Sequence, residues 1–278
     1  MPPRVIRAAS MGYCMGVQNA IDYAERALSQ NQSVYSHGLL IHNKKELDRL
    51  AQRGMQVMEG EDEPDRGATL VVRAHGIHPA ERERIKAKNV SIIDATCPLV
   101  LLNQKTVQKK SDAGAVIIIA GHANHPEIQA LVGFAADFVL VENARDVQKL
   151  EIRPGKKYFL MAQTTLRPAV FDEIEQAAKE KISDLEVFNS ICAATKERQQ
   201  AIKNLAPQVD VIVVVGDKKS ANSKGLVDLS ESLGRKAYLV EGPEDITDEM
   251  KSFATVGLSA AASAPGWLIN QVEEALVT

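Results

Sequence analysis

Short β-branched runs alternate with helical patterns along the whole chain. Leu70-Val71-Val72-Arg73, Val116-Ile117-Ile118-Ile119, Tyr158-Phe159-Leu160-Met161, Val211 to Val215 and Ala237-Tyr238-Leu239-Val240 are apolar, or nearly so, over a strand's length. A strand apolar at every position, rather than at every second one, is buried on both faces. Such runs separated by amphipathic helical stretches mark βαβ units and mostly parallel sheets, so the expected fold class is α/β. Helix starts are signposted too. Asn43 with Glu46 three residues on resembles a capping box. Pro79, Pro168 and Pro265 each suit a first helical position, where a missing N–H costs nothing. The charged stretch Glu59 to Gly67 reads as a surface loop.

No repeat is visible letter by letter. The recurrence is architectural: a strand, a turn carrying Cys or His, then a helix, once in each third of the chain. Length alone suggests about two domains, but this recurrence fits three small modules better. The expected boundaries are 14–96, 97–189 and 190–264, with 1–13 as an N-terminal strand of the third module and 265–278 as a C-terminal helix.

Composition narrows the field. The 278 residues are 45% hydrophobic and 25% charged, with a net charge of −3. That balance offers no basic surface for nucleic acid and no polybasic membrane anchor. Met-Pro-Pro-Arg followed by Val-Ile-Arg lacks the apolar core of a secretory signal. The longest apolar runs fall far short of the roughly 20 residues of a membrane span. Three cysteines, an odd number, argue against a disulfide framework. The expectation is a cytoplasmic protein with reduced thiols.

Those cysteines are the most telling residues. Cys14, Cys97 and Cys192 each fall where an extended run gives way to a helical pattern. A lone cysteine usually acts as a small buried hydrophobe; three in matched contexts suggest modules converging on one site. Three thiolates can hold three irons of a cubane cluster and leave the fourth open to substrate. The spacing lacks the C-x-x-C pairs of ferredoxins and zinc ribbons, and a zinc site of three cysteines and one histidine stays open on spacing alone.

Polar residues gather at other strand ends, where ligands bind open α/β sheets against helix N-termini. His42, His75, His125, Thr165, Ser220, Asn222 and Ser263 all occupy such places. Histidines, hydroxyls and an amide make a donor-rich pocket suited to phosphate or diphosphate. Glu127 is the carboxylate of the His125 loop and the natural proton carrier, with Thr165 to relay or orient the proton. Alone, Glu127 would read as a first-turn acid complementing a helix dipole, and Ser220 to Ser223 as an ordinary N-cap cluster. His37, His78 and His122 read as solvated or capping residues. Lys218-Lys219-Ser220 lacks the upstream glycine of a P-loop, and no G-x-G-x-x-G occurs, so no nicotinamide or flavin is indicated.

Taken together, these segments resemble the 4-hydroxy-3-methylbut-2-enyl diphosphate reductase family, iron–sulfur enzymes of the non-mevalonate isoprenoid pathway. The resemblance rests on Gly12-Tyr13-Cys14-Met15-Gly16-Val17, Leu40-Ile41-His42-Asn43, Arg73-Ala74-His75-Gly76 and Asp94-Ala95-Thr96-Cys97-Pro98. It continues through Gly121-His122-Ala123-Asn124-His125-Pro126-Glu127, Gln163-Thr164-Thr165-Leu166, Ile191-Cys192-Ala193, Asn222-Ser223 and Ala262-Ser263-Ala264-Pro265. It is collinear and spans essentially the whole chain.

The resemblance implies a trefoil of three α/β modules around a central site, with one [4Fe–4S] cluster per chain on Cys14, Cys97 and Cys192. It implies that the diphosphate is held by His42, His75, His125, Ser220, Asn222 and Ser263. Glu127, assisted by Thr165, would protonate the departing allylic hydroxyl, giving isopentenyl and dimethylallyl diphosphate. A ferredoxin or flavodoxin donor and a monomer or weak dimer are expected. Ala221 stands where the family commonly has a second Ser, Ala193 where it has a larger residue, and Ala261 where Gly is common.

Overall fold

The computed structural model describes residues 2–30, 33–60 and 62–278. Met1 of the N-terminal segment, Asn31 and Gln32 of the first expected module and Glu61 of the charged loop lie outside the described residues. In chain order the strands are β1 (Arg4–Arg7), β2 (Val34–His37), β3 (Met55–Met58), β4 (Thr69–Val72), β5 (Ser91–Asp94) and β6 (Val116–Ala120). They continue as β7 (Phe138–Val141), β8 (Tyr158–Ala162), β9 (Leu185–Phe188), β10 (Val211–Val215), β11 (Lys236–Val240) and β12 (Thr255–Ala260). The helices are α1 (Met15–Gln30), α2 (Lys44–Gln52), α3 (Pro79–Lys86), α4 (Pro98–Asp112), α5 (Pro126–Leu131) and α6 (Ala144–Gln148). Then come α7 (Pro168–Lys181), α8 (Ala193–Leu205), α9 (Ala221–Ser232), α10 (Asp248–Lys251) and α11 (Gly266–Val277).

Among the described residues the strands form three 4-stranded sheets, ordered β3-β2-β4-β5, β7-β6-β8-β9 and β11-β10-β12-β1. Every pairing within them is parallel. The three share one connectivity: second strand, first, third, fourth. In the last sheet the fourth place is taken by β1, from the other end of the chain.

The continuous apolar runs have the reason anticipated from sequence. In β6 and β8, Val116, Ile118, Tyr158 and Leu160 enter one buried cluster, while Ile117, Ile119, Phe159 and Met161 enter another. Likewise Val211, Val213 and Val215 of β10 pack on one side, and Ile212 and Val214 on the other. Helices cover both faces, so no position in these central strands needs to be polar.

The chain divides into two compact units. One comprises Met1–Ile21, Ile41–Arg53 and Ala193–Thr278, and contains the sheet of β1, β10, β11 and β12. The other comprises Asp22–Leu40 and Gly54–Cys192, and contains the other two sheets. Pro79 and Pro168 open α3 and α7 as expected. Pro265 is instead the N-cap of α11, one residue outside the helix. Asn43 caps α2 by accepting the Glu46 N–H at 3.0 Å, but the Glu46 carboxylate turns to Arg49 and to the Trp267 indole. No helix among the described residues is long and apolar enough to cross a membrane.

Candidate active site

All three cysteines occupy the residue directly before a helix: Cys14 before α1, Cys97 before α4 and Cys192 before α8. Unpaired N–H groups at such a helix start favour negative charge. Each cysteine is outside any disulfide and half-buried. In each case the backbone N–H extends a parallel ladder past the end of its sheet. Cys14 donates to the Ala262 carbonyl at 3.3 Å, Cys97 to Ala74 at 3.0 Å and Cys192 to Thr164 at 2.9 Å. The next residues are Ser263, His75 and Thr165, all expected substrate ligands. One bond, repeated three times, thus ties each cysteine turn to a loop carrying a polar candidate.

The Cys97 turn is braced further. Asp94 Oδ1 accepts from the Thr96 N–H at 3.0 Å and from the Thr96 hydroxyl, while Oδ2 accepts from Arg82 at 2.5 Å. Burial pushes the Asp94 carboxyl up, but the bonds from Thr96 and Arg82 outweigh it and leave the group below its ordinary range.

Glu127 lies in the first turn of α5 and is only 1% exposed. Its oxygens both face one residue. Oε1 accepts the Thr164 N–H at 2.9 Å and Oε2 faces the Thr164 hydroxyl at 2.5 Å. Burial raises the carboxyl from 4.5 to about 7, against those two bonds, which pull it down. The residue at Glu127 is therefore Thr164, not the Thr165 singled out from sequence. Thr165 Oγ1 instead accepts from Gln163 Nε2 at 2.6 Å, and Gln163 Oε1 accepts the His122 N–H at 3.0 Å. Two adjacent threonines in a turn cannot be distinguished by motif spacing; only the path of the turn after β8 decides between them.

His125 caps α5, its Nδ1 accepting the Glu127 N–H at 3.2 Å. With Nδ1 an acceptor, the ring proton of the neutral histidine sits on Nε2. The His75 ring meets His125 edge-on, with centroids 5.3 Å apart. Within this compact unit the structure brings His75, His125, Glu127 and Thr164 together with the Cys97 and Cys192 turns.

The other unit carries Cys14, His42, Ser220, Asn222 and Ser263. Ser263 donates to the His42 carbonyl at 2.8 Å. Asn43 and Trp267 hold Glu46, and with it α2, at the same edge. Ser220 is the N-cap of α9, its hydroxyl accepting the Ser223 N–H at 3.4 Å. Asn222 lies in the helix's first turn and Ala221 is exposed.

The remaining histidines divide differently from expectation. His78 caps α3 through Nδ1, and His122 is exposed beside Glu142. His37 is not solvated: its side chain is largely buried and pairs with Glu81 at 3.1 Å. That burial lowers the His37 pKa, with Glu81 opposing the shift.

Among the described residues no three His, Cys, Asp or Glu side chains gather as ligands of a single metal ion. A cubane asks for a different donor set, one thiolate at each of several separate irons, and reduced half-buried thiols fit that chemistry. A groove of about 610 Å³ along α4 is lined by Thr96, Leu101, Gln104 and Phe134 among others, but by none of the expected site residues.

A family model described as LytB protein matches residues 5–277. The chain is 36% identical over 286 residues to the 4-hydroxy-3-methylbut-2-enyl diphosphate reductase of Treponema denticola, covering 98% of this chain and 99% of that one. With the enzyme of the same name from Aquifex aeolicus it shares 34% identity, covering 97% and 94%. Among solved structures, the E-1-hydroxy-2-methyl-but-2-enyl-4-diphosphate reductase of Plasmodium falciparum matches with a TM-score of 0.93 at 32% identity, covering 99% of this chain and 88% of that one. A structure of (E)-4-hydroxy-3-methyl-but-2-enyl diphosphate reductase, described as the terminal enzyme of the non-mevalonate pathway, matches with a TM-score of 0.74 at 33% identity, covering 99% of both chains.

Proposed function

The chain belongs to the LytB protein family, and from that premise we propose that it reduces (E)-4-hydroxy-3-methylbut-2-enyl diphosphate to isopentenyl and dimethylallyl diphosphate. Each turnover takes two electrons and two protons, breaks the allylic C–O bond, forms a C–H bond and releases water. The observation that carries the reading is Glu127, a carboxyl raised to about 7 by burial, hydrogen-bonded to Thr164 and held in the turn that His125 caps.

Cys14, Cys97 and Cys192 would hold a [4Fe–4S] cluster, which when bound supplies a Lewis-acidic iron without a protein ligand and the entry point for electrons. The rest of the work falls to the chain. With its carboxyl raised to about 7, Glu127 keeps about half its proton at neutral pH, so it can act as the acid there. Its Oε1 is occupied by the Thr164 N–H, so the proton resides on Oε2 and leaves through the Thr164 hydroxyl. His42, His75, His125, Ser220, Asn222 and Ser263 bind the diphosphate; Thr165 adds a hydroxyl beside Gln163. Fixing the diphosphate aims the C–O bond, so binding energy remote from the reacting atoms goes into orientation. A cytoplasmic setting, a ferredoxin or flavodoxin donor and a monomer or weak dimer belong to the same reading.

The test is anaerobic purification, iron and sulfide analysis, and turnover of the hydroxylated allylic diphosphate with a chemical reductant. About four irons per chain and formation of both products are expected. One zinc with no iron would overturn the reading, and an intact cluster without turnover would overturn the substrate.

A further inference from the structure

Arg198 sits on α8, in the second turn after Cys192, and is only 3% exposed. A cation buried this deeply persists only where its N–H groups meet acceptors. Its Nη1 donates to the Ala194 carbonyl at 2.9 Å, one turn back in the same helix, and its Nη2 to the Gly12 carbonyl at 2.5 Å. Gly12 stands two residues before Cys14, at φ +76, where an added Cβ would come within 3.1 Å of Ile269 Cδ1. The turn carrying Cys14 is therefore held from two directions. Its own N–H reaches the strand extension at Ala262, and its Gly12 carbonyl is gripped from α8.

We infer that Arg198 is the positioning residue for the first cysteine. Its planar fork fastens the Cys14 turn to the helix that starts directly after Cys192. Lysine carries the same charge, but its three N–H groups rotate about one nitrogen and lack the planar fork that spans two carbonyls in a fixed geometry. The link to an iron–sulfur group rests on the cluster reading above. The fastening of the Cys14 turn stands on the hydrogen bonds alone.

The test uses the full chain as wild type, Arg198→Lys and Arg198→Gln. In the metal-free form, alkylation by iodoacetamide is followed cysteine by cysteine with mass spectrometry, beside circular dichroism. Cys14 should label about ten-fold faster in R198K, the equivalent of one lost charged hydrogen bond, while Cys97 keeps its wild-type rate. In the reconstituted form, iron should pass to a ferrous chelator about ten-fold faster than from the wild type, by the same reasoning.

Unchanged Cys14 labelling overturns the proposal. So does acceleration of all three cysteines together, which marks general loosening, and so does failure of both variants to fold, which makes Arg198 a residue of the fold alone. If the wild type takes up no iron, the cluster reading falls, and the labelling still decides whether Arg198 sets Cys14.

Discussion

Replacing Glu127 with Gln keeps the shape of the side chain and removes its acid. Gln Oε1 can still accept the Thr164 N–H, and its amide can donate to the Thr164 hydroxyl, so the turn after β8 should hold. Two consequences separate. A general acid contributes roughly 10²- to 10⁴-fold to rate, so turnover should drop within that range while iron per chain stays at the wild-type level. Stability should move the other way. The folded carboxyl titrates at about 7 against 4.5 when unfolded. Between those values the folded state binds more protons, so wild-type stability falls as pH rises, by about 3 kcal/mol in all. The Gln variant has no such titration. It should match the wild type near pH 4.5 and exceed it by up to about 3 kcal/mol above pH 7. The assay pairs anaerobic initial rates with denaturant unfolding of the metal-free chain at acidic and alkaline pH. Turnover within a few-fold of wild type would refute the acid role, and a stability difference independent of pH would refute the raised pKa.

Three further expectations follow from named contacts. Thr164→Val removes the hydroxyl at Glu127 Oε2, so the carboxyl should rise further and the alkaline limb of the pH–rate profile should move up; Thr165→Val should leave that limb in place, and the reverse pattern would return the role to Thr165. Ser263→Ala frees the His42 carbonyl of a bond worth about 1 kcal/mol, so KM should rise several-fold with little change in kcat, read from steady-state kinetics. Trp267→Phe deprives the buried Glu46 carboxylate of its indole donor and should cost about 1–3 kcal/mol in urea unfolding; an unchanged midpoint would mean that Arg49 alone satisfies Glu46.

Much of the scaffold was legible because burial on both faces leaves an unmistakable trace. β6, β8 and β10 could be read from their unbroken apolar runs, whereas β2 and β3 are half-exposed strands whose mixed letters announce nothing. The pairing of β1 with β12 joins the two ends of the chain; the register of that pairing has no local signal, although 1–13 is expected with the third module. His37 departs from expectation for a similar reason: its partner Glu81 comes from a distant helix, and burial is a property of the neighbourhood rather than of the residue. Pro265 shows the limit of boundary signals, since a proline suits the cap and the first helical position almost equally.

Residue types and their order along the chain determined which chemistry is available: three thiols at strand–helix junctions, histidines and hydroxyls at strand ends, and one carboxylate among them. Those assignments are local, set by turns whose composition is visible within a few letters. Tertiary structure decided how the groups are used. It placed Glu127 where burial holds its carboxyl near neutrality, gave that carboxyl to Thr164 rather than to Thr165, and bound each cysteine to the residue before a polar candidate. It also set Arg198 against the Gly12 carbonyl. A pKa and a hydrogen bond depend on what stands opposite in space, and packing, not order along the chain, decides that.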